Sequence, residues 1–492
     1  MLSWLASGDW LRAQESRRAP QLAIPQDKLV RDMIVHMSDE GRSKLRSSVG
    51  RLAETMPGGT VRVGTACSGC ELVRVVCGQL AGALQDVFPT ATPLKFSNEW
   101  ACESEPWKQK FLVDNFGIEH LYGDIGHLSG TRAPNVAQDC TDEEIAPVNL
   151  LVVGFSCKDL SSQKTLDQLP GAAVKKKLKI APRASVLAGG EGSSAATLHA
   201  ALALIAAHTP QAVILENVAG LASDSEKEEE RPGKDVDVVV KNKTFIEQSF
   251  AQIGYSFHLQ ILNASDRGIP QNRKRAYMIA IRLDGDRCAA ELNEAVAQAY
   301  ASVGATETVP VPDFFLSEEE YSTHWEWRPK CQVVSEGLKW VADHGKYFRK
   351  HGVPWPPEVS QVEEACGRGY TQAAYGTQQQ ISRREAEIIA FHVATTPEQE
   401  HSLEEFEDVS QSIDRVTVMV DQSPCQTPNQ RTFLRKRKRF LCGEEALRLQ
   451  GLWLRDAPKI RSSSDRQLHE LAGNAFCSMS VAHALVACLS VM

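Results

Sequence analysis

The chain lacks any run of about 20 apolar residues, which is the length that a helix needs to cross a bilayer. Its first 20 residues also lack an uninterrupted apolar core of signal-peptide length. The sequence therefore predicts no membrane partner and no secretion.

The cysteine spacing indicates neither a disulfide framework nor a zinc site. The 13 cysteines are odd in number and spread over 492 residues, which favours a reducing compartment. Cys67 and Cys70 form a CxxC pair, but zinc needs a second ligand pair at matching spacing and the sequence offers none. We therefore predict no metal.

The sequence also has no excess of positive charge. The formal net charge is −8, so a nucleic-acid site must be a local basic patch. Two segments have this character, and each has an ordinary alternative. Lys175–Lys179 with Arg183 can be a solvated loop, and Arg435–Arg439 can be a phosphate patch, a nuclear-import signal or a strand edge.

Short apolar runs alternate with amphipathic stretches from Thr60 onward. The amphipathic stretches include Thr197–His208 and Thr244–Ile253. This pattern predicts an α/β fold with a doubly wound, mostly parallel sheet that has helices on both faces. The predicted strands are Val61–Gly64, Leu94–Phe96, Leu150–Gly154, Ala212–Leu215 and Ala276–Ile281.

The presence or absence of this alternating pattern divides the chain into four parts. Residues 1–59 are a polar N-terminal extension with one helical stretch, and residues 60–285 carry the sheet. Residues 286–430 lose the alternation and predict a smaller irregular domain, after which 431–492 return to the first. The acidic insertion 223–237 is predicted to be a solvated loop.

Ligands of such sheets bind beyond the carboxyl ends of the strands, so the residues that follow each strand are the candidates for a site. Gly64–Gly69 follows the first strand and has the small residues of a tight turn. Glu103, after the second strand, can accept from ribose hydroxyls or be a surface acid. Asp124, which lies between the second and third of these strands, can accept from an adenine amino group or cap a helix.

The ends of the strands Leu150–Gly154 and Ala212–Leu215 carry the more specific chemistry. A cysteine is usually a small core residue, but Cys157 stands after a buried strand beside Lys158, where a thiolate can be stabilised. Glu216 and Asn217 end the next strand and place a carboxyl near that thiol. A thiol, a buried acid and a nucleotide-shaped pocket form one coherent constellation.

A basic cluster precedes the last strand. Gln271, Arg273 and Arg275 alternate, so a strand through them would point all three side chains into one site, or make a surface charge ladder. Arginines in that place can hold a base oxygen or a phosphate.

Taken in order, these segments resemble the cytosine-C5 DNA methyltransferase family. The strings that carry the resemblance are GTACSG, CESEPWKQKFL, YGDI, GFSCKDLS, ENV, QNRKR, GEEALRLQG and LAGNAF, between about Val61 and Leu485. The gap at 286–430 falls where the family has its variable target-recognition region. The resemblance implies a Rossmann-like methyltransferase fold, S-adenosyl-L-methionine as cofactor and DNA as partner.

The resemblance also implies the roles of individual residues. Cys157 would be the nucleophile, Glu216 the acid at ring nitrogen 3, Arg275 the ligand of the base oxygen and Arg273 a buttress, with Asn217 and Gln271 in the same strings. The cofactor would contact Thr65, Ala66, Cys67, Ser68, Gly69, Glu103, Ser104, Asp124, Ile125, Ser156, Asn474 and Ala475. Nucleic acid would contact Lys158, Ser161, Lys175, Lys176, Lys177 and Arg183.

Three departures from the family pattern bear on the activity. Ser156 stands where the family usually has proline, which predicts a looser nucleophile loop. Lys158 replaces glutamine or asparagine and predicts a lower thiol pKa. The cofactor loop has Thr65, Cys67 and Glu71 where the family usually has an aspartate or phenylalanine and a further glycine.

Two other functions stay open. The first is methylation of tRNA on the same scaffold, although the short proline- and aromatic-containing signature of the RNA-acting relatives is missing. The second is a non-catalytic nucleic-acid-binding relative, which would have no need of Cys157 and Glu216. We expect a monomer, located in the nucleus of a eukaryote or otherwise in the cytoplasm.

Overall fold

Buried apolar strands build a nine-stranded sheet in the computed structural model, which describes residues 25–160, 187, 192–222, 242–285, 287–304, 306–325, 338–366, 381–396 and 404–492. The strands run in the order β5-β4-β3-β2-β1-β6-β7-β9-β8. They are β1 Thr60–Ala66, β2 Lys95–Cys102, β3 Leu121–Tyr122, β4 Arg132–Asn135, β5 Thr141–Glu144, β6 Leu150–Val153, β7 Ala212–Val218, β8 His258–Asn263 and β9 Lys274–Ile281.

The centre of this sheet is parallel. β3, β2, β1, β6 and β7 run in one direction, whereas β9 is antiparallel to both β7 and β8. β4 and β5 form an antiparallel edge. The prediction of a mostly parallel α/β sheet is therefore confirmed.

Helices cover both faces, and each face has its own apolar core. The helices of the described chain are α1 Pro25–Val35, α2 Asp39–Thr55, α3 Leu72–Val87, α4 Pro106–Phe116, α5 Ser193–His208, α6 Asn242–Gln252, α7 Ala289–Ser302, α8 Glu318–Trp325, α9 Leu338–Lys350, α10 Val359–Cys366, α11 Arg383–Thr395, α12 Gly443–Arg448, α13 Asp465–Asn474 and α14 Ser478–Leu489. α3 and α14 lie on one face, and α5 and α6 on the other.

Helices outside residues 60–285 also pack on the main core. α1 and α2 bury Val30, Ile34 and Leu45 in it, so the N-terminal stretch contributes to folding. α7 buries Val296 and Tyr300 in the same core, although the sequence assigned residues 286–430 to a separate domain. α7 belongs to the main core because it packs against α14 and α2.

A second, four-stranded antiparallel sheet forms the smaller unit. Its strands are β10 Glu405–Asp408, β11 Val418–Val420, β12 Thr432–Leu434 and β13 Arg439–Phe440, in the order β11-β10-β12-β13. It shares a core with α9, α10 and α11 through residues such as Phe348, Phe391 and Phe433.

The C-terminal segment Asp465–Leu489 is long and apolar enough to pass a length-and-composition test for a membrane span. However, 94% of its most apolar window is buried inside the protein. α13 and α14 of this segment therefore bury their apolar surface by packing inside the protein.

Candidate active site

The carboxyl ends of five parallel strands lie level with one another. Backbone pairing aligns Ala66 of β1 with Cys102 of β2 and Val153 of β6, then continues to Tyr122 of β3 and Leu215 of β7. Residues that directly follow this row therefore share one edge of the sheet. Glu103, Asp124, Cys157 and Glu216 all stand there.

The loop that carries Cys157 is fixed to the start of helix α5. Asp159 accepts a hydrogen bond from the Ser194 amide at 3.0 Å, and the Asp159 amide donates to the Ser194 hydroxyl at 3.0 Å. These reciprocal bonds satisfy an amide at the helix N-terminus, where no carbonyl of the same helix is available. The loop therefore has a rigid support on α5.

Ser156 has its own anchors on the same helix. Its amide donates to the Thr197 hydroxyl at 3.1 Å, and its hydroxyl lies 3.1 Å from that of Ser193. The sequence predicts a looser loop because proline is missing here, but hydrogen bonds to α5 supply the restraint instead. A proline at this position would have no amide hydrogen for Thr197.

Glu216 pairs with Arg275 at the edge of the sheet. The Arg275 Nε lies 3.3 Å from Glu216 Oε1, and the two side chains are 15% and 12% exposed. The pairing follows from strand register, because Glu216 faces Tyr277 across the β7–β9 ladder and Arg275 is two residues away on the same face. Burial raises the pKa of Glu216, whereas Arg275 and Arg273 oppose this rise.

The Cys157 thiol is half-buried and electrostatically coupled to this pair. Burial raises its pKa, the Glu216 charge raises it further, and Arg275 lowers it. The coupling supports a common hollow for Cys157, Glu216 and Arg275. The sequence predicts that Lys158 lowers the pKa of the Cys157 thiol, and this prediction is wrong. The pKa is raised, and the exposed Lys158 is not among the main causes of the shift.

The expectation that Gln271 and Arg273 share a strand face with Arg275 is wrong, because both precede β9, which begins at Lys274. The charge of Arg273 still acts on Cys157 and Glu216. The Arg273 guanidinium is buried and donates to the carbonyls of Gln426, Gly473 and Ala475.

Gln271 is likewise used inside the fold. Its amide donates to the Leu449 carbonyl at 3.3 Å, and its side-chain oxygen accepts from Gln450. Both residues therefore fasten the C-terminal segments to the edge of the sheet.

Asn217 supports the nucleophile loop from the neighbouring strand. Its side chain is buried and donates to the Phe155 carbonyl at 2.9 Å. Its oxygen accepts from the Val218 amide at 2.8 Å. The structure therefore brings Asn217 to the site as a support of the loop rather than as a group facing the hollow.

The loop after β1 is held by a buried carboxyl. Glu103 accepts from the Gly69 and Glu105 amides at 3.0 Å each, which joins this loop to the end of β2. Thr65 donates to Glu71 at 3.0 Å and lies 2.8 Å from the Ser68 hydroxyl. Burial is the main cause that raises the pKa of Glu71, to about 7.

The other residues assigned to the cofactor lie around this loop with mixed exposure. Ser104, Asp124 and Asn474 are exposed, and Cys67 and Ser156 are half-buried. Ala66, Ile125 and Ala475 are buried. Asp124 accepts from the Gly126 amide at 2.8 Å and so caps a short 3₁₀ turn, which is the alternative that the sequence left open.

The basic segments differ in what the structure describes. Lys158 is exposed beside the hollow, whereas Ser161, Lys175, Lys176, Lys177 and Arg183 lie outside the described residues, as does 223–237. The three arginines of the run Arg435–Arg439 are paired with carboxylates of the fold. Arg435 pairs with Glu405 at 2.8 Å, Arg437 with Glu318 at 3.1 Å and Arg439 with Glu445 at 2.9 Å.

Sequence reasoning missed Cys425 and Tyr277. The Cys425 sulfur lies 3.5 Å from the Arg275 Nη2 and 3.7 Å from the Arg273 Nη1. Tyr277 is fully buried opposite Glu216. Strand alternation gave a signal for Tyr277, but Cys425 is 150 residues from Arg275 in the chain and no local pattern indicates the contact. Among the described residues, no group of three His, Cys, Asp or Glu side chains is placed to hold a metal ion.

Known methyltransferases resemble this chain over different lengths. The chain is 24% identical over 459 residues to DNA (cytosine-5-)-methyltransferase DMT5 of Cryptococcus neoformans, which covers 89% of this chain and 17% of that protein. It is 30% identical over 189 residues to type II methyltransferase M.HhaI of Haemophilus parahaemolyticus. That match covers 38% of this chain and 42% of M.HhaI. The chain thus spans less than half the length of either relative. The Dnmt2 methyltransferase structure of S. pombe aligns with a TM-score of 0.41 at 15% identity, over 87% of this chain and 98% of that one.

A family-wide sequence match extends over most of the chain. The sequence profile of C-5 cytosine-specific DNA methylases matches residues 77–487. This stretch includes Cys157, Glu216 and Arg275 as well as both C-terminal helices. The chain therefore belongs to the C-5 cytosine-specific DNA methylase family.

Proposed function

We propose that this protein transfers a methyl group from S-adenosyl-L-methionine to carbon 5 of cytosine in DNA, through a covalent adduct with Cys157. The observation that carries the proposal is the placement of Cys157 and Glu216 after neighbouring parallel strands, with Arg275 paired to Glu216 at 3.3 Å. Both relatives are named as methyltransferases, and the name of DMT5 specifies the cytosine-5 reaction.

The residues at the ends of β1, β2 and β3 suit the proposed cofactor. Two carboxylates act there, because Glu103 and Asp124 both add to the burial that raises the pKa of Cys67 to about 12, while Lys108 opposes the rise. A field of this sign favours a cationic ligand. The position where a side chain of Gly69 would project is open, with no atom within 4 Å. Glu103 and Asp124 would accept from the ribose hydroxyls and the adenine amine.

S-adenosyl-L-methionine supplies an electrophilic methyl group on a positively charged sulfur. The task of this chain is to make carbon 5 of cytosine nucleophilic. The Cys157 thiol loses its proton to solvent, its sulfur forms a bond to carbon 6, and the electrons of the 5,6 double bond become available at carbon 5. Glu216 donates its proton to ring nitrogen 3, where negative charge would otherwise develop.

Burial of Glu216 serves this step because it favours the protonated carboxyl. Arg275 stands beside it and would hold the carbonyl oxygen of the base with its guanidinium. After carbon 5 has gained the methyl group, a base removes the proton from that carbon. The bond between carbon 6 and the Cys157 sulfur then breaks, the ring double bond returns, and Glu216 recovers its proton.

The target carbon is shielded inside a duplex, so the cytosine must leave the helix, at a cost of a few kcal/mol. The open edge of the sheet can receive it next to Cys157. Lys158 is exposed and would contact the backbone of the flipped nucleotide.

A radiolabel assay tests the proposal. The protein is incubated with tritiated S-adenosyl-L-methionine and either duplex DNA or total tRNA, and each product is digested to nucleosides. We expect label in 5-methyldeoxycytidine from DNA. Label confined to tRNA would favour the RNA-directed alternative, and label in neither would refute the transferase.

Cys157→Ala is the matched test of mechanism. It should abolish transfer while the calorimetric Kd for S-adenosyl-L-methionine stays within about twofold, because the thiol contributes no predicted cofactor contact. Cys140→Ala changes an exposed cysteine in the turn between β4 and β5, provides the control and should transfer normally. Wild-type turnover by Cys157→Ala would refute the nucleophile assignment.

A further inference from the structure

The segment after β11 crosses the edge of the main sheet and is fastened there by its backbone. The Ser423 amide donates to the Pro270 carbonyl at 2.8 Å, and the Asn272 amide donates to the Ser423 carbonyl at 2.9 Å. Further along the segment, the Gln426 carbonyl accepts from Arg273 at 2.8 Å. Cys425 stands between these fixed points, so the chain holds it against the edge from both sides.

The guanidinium of Arg275 has a separate partner at each nitrogen. Nε faces Glu216 at 3.3 Å, Nη1 donates to the Lys274 carbonyl at 2.9 Å, and Nη2 donates to the Cys425 sulfur at 3.5 Å. The Lys274 contact is local, because the acceptor is the carbonyl of the preceding residue. Glu216 and Cys425 are contacts from distant parts of the chain, and Cys425 holds a different nitrogen of the guanidinium from the one that faces Glu216.

We propose that Cys425 is a positioning residue whose sulfur holds the Arg275 guanidinium against Glu216, ready for the base. The inference rests on the proposed function, because it assigns Cys425 to the support of that same reaction. It also connects the smaller sheet with the catalytic edge, since Cys425 follows β11 by a few residues.

The electrostatics of the contact agree with this role. Burial favours the neutral thiol, but Arg273 and Arg275 outweigh it and lower the pKa of Cys425. Because the Cys425 sulfur accepts a hydrogen bond from the Arg275 Nη2, it takes part of the guanidinium charge that would otherwise stabilise the Glu216 carboxylate. Glu216 then keeps its proton more readily, as donation to ring nitrogen 3 requires.

The titratable groups around this contact come from several elements. β9 and the residue before it contribute Tyr277 and Arg273, the loop after β6 contributes Cys157, and the start of α14 contributes Cys477. Both arginines act on the Cys425 sulfur, whereas Cys157 and Tyr277 interact with the Arg275–Glu216 pair. Removal of Cys425 leaves the others in place, so its effect can be measured separately.

Two substitutions separate a positioning role from simple packing. Serine keeps a hydrogen-bonding group at position 425, and alanine removes it. We expect Cys425→Ala to lower the single-turnover rate roughly tenfold, the effect of one hydrogen bond to a charged group, with the Kd for S-adenosyl-L-methionine and the Tm unchanged. Cys425→Ser should recover most of that rate.

The pH dependence gives a readout that packing alone would not move. Without the sulfur, Arg275 stabilises the Glu216 carboxylate more strongly, so the alkaline limb of the rate profile should shift to lower pH in Cys425→Ala. Equal rates and profiles in Cys425→Ala and the wild type would overturn the proposal. An equal loss of rate in the alanine and serine variants, together with a lower Tm, would also overturn the proposal, because it would show that Cys425 acts only through packing.

A measurement that needs no turnover tests the contact itself. Iodoacetamide alkylation of Cys425 is followed by peptide mass spectrometry across a pH series, in the wild type and in Arg275→Gln. The alkylation midpoint should lie at higher pH in Arg275→Gln, and an unchanged midpoint would overturn the contact. A wild type without methyl transfer would refute the proposed function, whereas normal catalysis by Cys425→Ala would refute only the present inference.

Discussion

Asn217 donates a 2.9 Å hydrogen bond to the Phe155 carbonyl and thereby joins the end of β7 to the loop that carries Cys157. The bond spans 62 residues of sequence and is fully buried. It connects the strand of the proposed acid to the loop of the proposed nucleophile, so the spacing between Cys157 and Glu216 depends on it.

Asn217→Ala should therefore impair both folding stability and transfer. The Phe155 carbonyl would lose its donor in a buried place, which lowers the free energy of unfolding by about 1–3 kcal/mol. We expect the single-turnover rate to fall more than the cofactor affinity, because the loop moves relative to Glu216. Urea denaturation and radiolabel transfer measure the two effects, and an unchanged rate in a destabilised variant would contradict the alignment role.

The Ser156–Thr197 bond can be tested by a double-mutant cycle. Thr197→Val removes the acceptor of the Ser156 amide and should lower the free energy of unfolding by about 1–3 kcal/mol. In a Ser156→Pro background the amide hydrogen no longer exists, so the same valine should have a smaller effect. Denaturation of all four proteins gives the coupling, and independent effects would argue against this bond as the substitute for the family proline.

Much of the site follows from the sequence because parallel strands place their carboxyl ends together. The row from Ala66 to Leu215 brings Cys157 and Glu216 to one edge, as the apolar runs predict. Other features depend on contacts between distant segments. Strand alternation gave the wrong direction for Arg273, since the chain is still a loop there and its carbonyl partners come from the C-terminal region.

The run Arg435–Arg439 shows a second limit of sequence patterns. The acidic partners Glu405, Glu318 and Glu445 are scattered along the chain, so a run of five basic residues does not reveal that its three arginines are in ion pairs. The strand turn between β12 and β13 brings the charges to these carboxylates. Only the folded structure distinguishes a phosphate patch from an internal ion-pair network.

Arg439→Ala should act on stability rather than on nucleic-acid binding. Its guanidinium and Glu445 are almost fully buried, and loss of one partner of such a pair lowers stability by about 3–5 kcal/mol. The slope of log affinity for DNA against log salt should stay unchanged, because this arginine neutralises a carboxylate and not a phosphate. A slope reduced by about one charge in a folded Arg439→Ala protein would assign the run to DNA instead.

Glu71 predicts a pH-dependent stability near neutrality. Its folded pKa of about 7 lies above the 4.5 of an unperturbed carboxyl, so the folded state holds the proton more tightly than the unfolded state. Stability should therefore fall as the pH rises from about 5 to 7 and level off above, where both states are ionised. Glu71→Gln should flatten this part of the curve, with the exposed Glu105→Gln as control, and denaturation at several pH values checks it. Parallel curves for Glu71→Gln and the wild type would contradict the buried-acid assignment.

Gly473 allows α13 to approach the segment that carries Cys425. A Cβ at this position would lie 2.2 Å from the Pro428 nitrogen and 2.4 Å from the Thr427 carbonyl carbon, so backbone would have to move. The Gly473 carbonyl also accepts from Arg273 at 3.1 Å. Gly473→Ala should thus displace both the segment and the buried arginine.

We expect Gly473→Ala to lower the Tm and to reduce transfer, because overpacking of this kind destabilises by about 1–3 kcal/mol or more. Gly82→Ala is the matched control, since Gly82 lies in α3 and a methyl group added there would have no neighbouring atom within 4 Å. Alanine there should stabilise the helix by about 0.5–1 kcal/mol. Calorimetric Tm values and radiolabel transfer compare the two variants. Equal behaviour of both would mean that α13 tolerates a methyl group against Pro428, and that α13 does not fix the segment on which Cys425 approaches Arg275.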